Sequence, residues 1–135
     1  AKVVTWSIAP DLAVAVDVCH AITPDNSYNA FAAGSGAIIS IGPNIHPKVQ
    51  KRLSETAEKY HIKTDLDVDG GDTGTDAWVM QVSGVGVPTG LLSIPLKYMH
   101  TSVETLDLRD VTAVAELLSF FVQDLDEDLE GWLCF

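Results

Sequence analysis

Short apolar runs alternate along this chain with longer amphipathic stretches. Leu12 to Val18 is rich in β-branched residues and apolar on both faces up to Asp17, the pattern of a parallel strand covered by helices on either side. Ala37 to Ile41 repeats it and is closed by Gly42-Pro43, and Leu91 to Leu96 is a third such run. Ile62 to Val68 alternates less cleanly, with Ile62, Leu66 and Val68 apolar, and also reads as a strand. From His46 to His61 the period changes. Val49, Leu53, Ala57 and Tyr60 fall on one helical face, with Lys48, Lys51, Arg52, Glu55 and Glu58 outside it. Pro47 suits the first turn of that helix.

The connections follow from their turn residues. Ala1 to Ile8 opens without a cap and reads as the tail of a longer element. Pro10-Asp11 marks a turn, and Ala21 to Gly36 a long loop. Asp69 to Gly74 is a tight loop, after which Thr75 or Asp76 caps a short helix through Val82. Gly84 to Pro88 turns into the Leu91 strand. Asp107, with Asp110 three residues on, opens the final helix as a capping pair. Val111, Val114, Leu117, Leu118, Phe121 and Leu125 form the buried stripe of that helix. Asp124 to Glu130 is an acidic tail that ends in Trp132, Leu133 and Phe135. Strands alternating with helices predict an α/β fold. The sheet is expected to be mostly parallel with helices on both faces, an α/β/α sandwich in one domain without an internal repeat.

Composition narrows the function classes. The 135 residues are 47% hydrophobic, enough for a packed core, and carry a formal net charge of −11. Nucleic acid and anionic membrane surfaces both need a basic face, so neither is an expected partner. No apolar run approaches the ~20 residues of a membrane span, and the start lacks the pattern of a secretory leader. Two cysteines make no disulfide framework, so a reducing cytoplasm is the default location.

Two residues stand out chemically. Asp17 and His100 each follow a buried strand, and in open α/β sheets ligands collect beyond the carboxyl ends of the strands. A carboxylate there is costly unless it is hydrogen-bonded, paired or metal-bound. Asp17 is therefore a metal ligand, a catalytic group or a cap on loop amides. His100 is a structural histidine, as lone histidines more often are, or a ligand, and its matching position with Asp17 brings the two readings toward balance. Carboxylate and neutral imidazole both suit zinc or cobalt. His20, three residues past Asp17, is close enough in sequence to orient that carboxylate, or else bonds to loop backbone. The aspartates from Asp65 to Asp72 lack the EF-hand spacing. Gly70 to Gly74 is no phosphate loop, and no serine sits in a nucleophile elbow.

Four segments then carry a family resemblance. Val14-Ala15-Val16-Asp17-Val18-Cys19-His20-Ala21, Gly42 to Pro47, Gly74-Thr75-Asp76-Ala77 and Ile94 to Glu104 occur in the order of the glutamyl and deblocking aminopeptidases. The chain resembles that family from Pro10 to Asp124. Its members are two-metal enzymes that assemble as tetrahedral dodecamers, and some carry endoglucanase or cellulase labels. A glycosidase, by contrast, needs two carboxylates flanking a sugar cleft. The resemblance implies that Asp17 ligates one of two divalent ions, zinc or cobalt, and that His100 ligates the other. It implies that Thr75 and Asp76 line the site near a peptide substrate and that Glu104 is a supporting carboxylate. Cys19 stands where the family usually has threonine. The family's metal-binding histidine, bridging aspartate and paired glutamates, one of them the general base, all precede this segment. The expectation is therefore that residues 1–135 are the C-terminal portion of a metallo-aminopeptidase catalytic domain, inactive alone. Its partners would be the missing N-terminal half and further copies of itself. The alternative is a non-catalytic assembly or binding domain that keeps the fold.

Overall fold

A computed structural model describes residues 1–126 and 128–133, without the side chain of Glu130; Phe135, at the end of the acidic tail, lies outside the described residues. The elements run α1 (Lys2–Ile8), β1 (Ala13–His20), β2 (Ala37–Ile41), α2 (Pro47–Lys59), β3 (Thr64–Val68), α3 (Asp76–Gln81), β4 (Thr89–Lys97), β5 (Thr105–Leu106), α4 (Leu108–Gln123) and α5 (Leu129–Leu133).

One sheet has the order β1-β4-β2-β3, with β5 added to the end of β4. Its two long pairings are parallel, Ala13–His20 against Thr89–Leu96 and Ala37–Ile41 against Thr64–Val68. Its two short ones are antiparallel, each of two residue pairs: Ile38–Ile39 against Ser93–Leu92, and Leu96–Lys97 against Leu106–Thr105. The sheet is thus mostly parallel, as expected, but chain direction reverses between β4 and β2.

Helices cover both faces. On one face α2 and α4 pack over β2 and β4, joining Val49, Leu53, Ala57, Val114, Leu117 and Phe121 to Ile39 and Leu92 in the main core. Gly90 belongs to this contact, because a Cβ there would lie 2.8 Å from Val49 Cγ1 and 3.1 Å from Leu53 Cδ1. On the other face α3 covers β1 and β4 through a smaller cluster of Ala77, Ala15, Leu91 and Ile45.

Local chemistry sets the helix ends. Pro47 starts α2, and His61 at φ 55° stops it. The His61 and Ile62 amides return to the Glu58 and Ala57 carbonyls, a Schellman ending. That ending occupies the first residues of the expected Ile62 strand, so β3 begins later, at Thr64. Asp107 caps α4 as expected, its side chain accepting from the Arg109 amide. Asp110 does not return to the cap. It is fully buried, and its two carboxylate oxygens accept the amides of Gly34 (2.7 Å) and Gly36 (2.8 Å). The helix start is thereby tied to the long loop between β1 and β2. The acidic tail contributes a helix, α5, that returns Leu133 to the main core.

Candidate functional site

The site is built on the C-terminal ends of β1 and β4. Asp17 lies inside β1, three residues before its end, opposite Ser93 of β4. Asp17 is half-buried, and Oδ1 accepts the Val18 amide at 2.8 Å. The second oxygen has no protein partner among the described residues. One oxygen is therefore held by backbone and the other is open.

Running β1 on to His20 changes the role expected of that histidine. Successive side chains in a strand alternate faces. Cys19 therefore shares the face of Asp17, while the exposed His20 projects from the other. His20 does not stand beside the Asp17 carboxylate.

His100 sits on the connection between β4 and β5. Lys97 pairs with Thr105, so residues 98–104 form a seven-residue hairpin loop. His100 is exposed, at φ 62°, and Tyr98 at φ 58° is left-handed too. For non-glycine residues that backbone costs roughly 1–2 kcal/mol each, so the surrounding bonds must enforce it. The Thr101 amide and hydroxyl both donate to the Tyr98 carbonyl, and the Val103 amide donates to Thr101 Oγ1. The Glu104 carboxylate accepts the His100 amide at 2.7 Å. Glu104 thus supports His100 through its backbone. The imidazole has no hydrogen-bond partner among the described residues.

Thr75 and Asp76 arrive from α3. Ala77 packs on Ala15 and Leu91, the residues two positions before Asp17 and Ser93 on their face of the sheet. The start of α3 therefore lies over the face that carries Asp17. Thr75 is the cap of α3: its hydroxyl accepts the Ala77 amide and pairs with Thr73 Oγ1 at 2.9 Å. Asp76 is exposed.

Asp67 and Asp69, at the end of β3, have carboxyls pushed above the usual range, first by burial. For Asp67 the neighbouring Asp69 charge adds to this, and for Asp69 the nearby Ser40 hydroxyl opposes it. The Cys19 thiol is pushed up to about 12, by burial first and then by the charges of Asp67, Asp110 and Asp69. Ser93, buried beside Asp17, was not singled out from the sequence, although a hydroxyl within Leu91-Leu92-Ser93-Ile94 is the signal that marks it.

The donor set fits a partial metal site. One carboxylate oxygen and one imidazole without protein partners are ligand types for zinc or cobalt. No group of three histidines, cysteines or carboxylates able to hold an ion occurs among the described residues. Asp17, His20 and His100 do not form a three-ligand site. The large cleft of about 1130 Å³ lies elsewhere, between α1, the loops 43–47 and 81–89, and α5. Neither Asp17 nor His100 lines it.

The sequence profile described as M42 glutamyl aminopeptidase matches residues 1–117. The chain belongs to the M42 family. It is 38% identical over 126 residues to the lysyl aminopeptidase of Pyrococcus furiosus, covering 93% of this chain and 36% of that protein. A solved aminopeptidase from the archaeon Desulfurococcus kamchatkensis shares 34% identity with a TM-score of 0.84, covering 98% of this chain and 38% of its own. The TET1 peptidase of Pyrococcus horikoshii, described as assembling into a tetrahedron or a large octahedral shell, shares 27% identity with a TM-score of 0.68, covering 92% of this chain and 36% of its own. The chain therefore spans little more than a third of these M42 relatives. Among the described residues, no helix is long and apolar enough to cross a membrane.

Proposed function

We propose that these residues are the C-terminal part of the catalytic domain of a metal-dependent aminopeptidase, which removes N-terminal residues from peptides. One observation carries the reading. Asp17 lies in the last half of β1, and His100 on the loop that leaves the parallel strand β4 bonded to it, each with a ligating atom that no described protein group occupies. Asp17 would hold one divalent ion and His100 a second, zinc or cobalt in each case. When bound, such ions activate water and polarise the scissile carbonyl. The contribution of this chain is to hold the Asp17 carboxylate in a sheet and the His100 imidazole on a braced hairpin. At the start of α3, the exposed Asp76 carboxylate would suit the free amino group of a peptide. The remaining ligands and the general-base glutamate would come from the part of the M42 fold outside these residues. The working form would be a homo-oligomer, a reading supported by the assembly described for the Pyrococcus horikoshii relative, and its location would be the cytoplasm.

The test uses the full-length protein and the anilides of leucine and glutamate. Hydrolysis should be lost on chelation and restored by zinc or cobalt. It should fall at least about 100-fold in Asp17→Ala and in His100→Ala. The 135-residue chain alone should hydrolyse neither anilide and bind no zinc with submicromolar affinity. Activity indifferent to chelation, variants that match the parent, or hydrolysis of a soluble glucan in place of the anilides would refute the assignment.

A further inference from the structure

The β4–β5 hairpin contains a bond that its own closure does not need. The loop is already shut by the Leu96–Leu106 and Lys97–Thr105 pairs and by the Thr101 bonds to Tyr98. The Val103 amide is taken by Thr101 Oγ1, and Thr105 Oγ1 donates to the Val103 carbonyl. Glu104 is nevertheless committed to one amide, that of His100, at 2.7 Å. A carboxylate accepting an N–H makes a short, strong, directional bond. Here it spans four residues and lands on a histidine held at φ 62°. The direction of the His100 Cα–Cβ bond follows from that backbone setting.

We propose that Glu104 is a positioning residue for the metal-binding function of His100. Its carboxylate clamps the His100 amide and fixes the direction in which the imidazole meets a divalent cation. Without the clamp the histidine relaxes toward the ordinary right-handed or extended regions, and the ring swings away from the ion. Partners that orient a ligand are typically worth 10–100-fold in metal affinity. The inference rests on the reading of His100 as a ligand.

The experiment is a zinc titration of the metal-free full-length protein, by calorimetry and by competition with a chromophoric chelator. It compares the parent with His100→Ala, Glu104→Ala and Glu104→Gln. His100→Ala should lose one equivalent of zinc. Glu104→Ala should keep both equivalents and weaken one of them about 10–100-fold, with the other equivalent and the melting temperature unchanged. Glu104→Gln keeps an acceptor oxygen and should recover about half of that loss on a logarithmic scale, since a neutral acceptor retains roughly half the bond. Parent affinity in Glu104→Ala, with an equivalent still lost in His100→Ala, overturns the clamp and leaves the ligand reading standing. Equal weakening of both equivalents together with a lower melting temperature overturns it as well, because Glu104 would then only stabilise the fold. Two intact equivalents in His100→Ala would remove the ligand reading itself and the clamp with it.

Discussion

Replacing Asp110 with alanine should cost this protein a large part of its stability. The side chain is fully buried at the start of α4, and its two oxygens accept the Gly34 and Gly36 amides at 2.7 and 2.8 Å. The Gly36 amide is buried, and the Gly34 amide partly so. A buried donor left without an acceptor costs about 1–3 kcal/mol. Counting Gly36 in full and Gly34 at a discount for water access gives a loss of about 2–4 kcal/mol. The loop cannot easily find another arrangement, since Gly36 is at φ 93° and a Cβ there would strike the Lys63 carbonyl. Small domains have only about 5–15 kcal/mol in total. Urea unfolding followed by tryptophan fluorescence reads this directly. With a slope of about 1.5 kcal/mol per molar, the midpoint should fall by roughly 1.5–2.5 M. Asp110→Asn retains one acceptor but turns an amide donor toward the second N–H, so its loss should lie between the parent and Asp110→Ala. A shift below about 0.5 M in Asp110→Ala would refute the accounting.

Three further outcomes follow from the structure. Asp107 is held down to about 2, chiefly by the side chain and then by the backbone amide of Arg109; because the folded value is depressed, its contribution is present above the ordinary carboxylate range and lost as pH falls toward 2. In an NMR titration Arg109→Ala should move the Asp107 midpoint upward, and an unmoved midpoint would refute the pairing. Cys19, raised to about 12, should be alkylated at pH 8 at least about 30-fold more slowly than a free thiol in a Cys134→Ser background, allowing for the greater nucleophilicity of a high-pKa thiolate; reaction at the free-thiol rate would contradict its burial. Gly90→Ala should destabilise by about 1–3 kcal/mol through overpacking against Val49 and Leu53, measured as a lower melting temperature, and parent-like melting would show that α2 can move aside.

The parts of the fold legible in the sequence are those whose burial is periodic. β1, β2, β4, α2 and α4 each present an unbroken apolar run or stripe. β5 has two residues, both exposed, and exists only because the hairpin returns along β4, which no local pattern encodes. α1 buries only Thr5, so its sequence carries no stripe to read. The reversal between β4 and β2 was equally hidden, because side-chain alternation is the same in either strand direction. At the candidate site, Asp17 and His100 were singled out by position and by resemblance. The continuation of β1 through His20 was not legible, because the polar end of that strand reads as loop. The Asp110 bonds to Gly34 and Gly36 span the chain and leave no local mark beyond a carboxylate in a first helical turn.

The reversal of direction inside the sheet divides the molecule into two working ends. In a wholly parallel sheet every strand delivers its following loop to the same rim. Here β1 and β4 open toward His100, whereas β2 and β3 open toward the opposite rim, where the segment 43–47 helps to wall the large cleft. A lengthened or rewritten loop after β2 reshapes that cleft and leaves the spacing between the exits of β1 and β4 as the sheet sets it. Variation at one rim is thereby insulated from chemistry at the other. The helix α3 connects the two: Ala77 near its start packs on the face of Asp17, and Gln81 at its end donates to Asn44 Oδ1 beside the cleft.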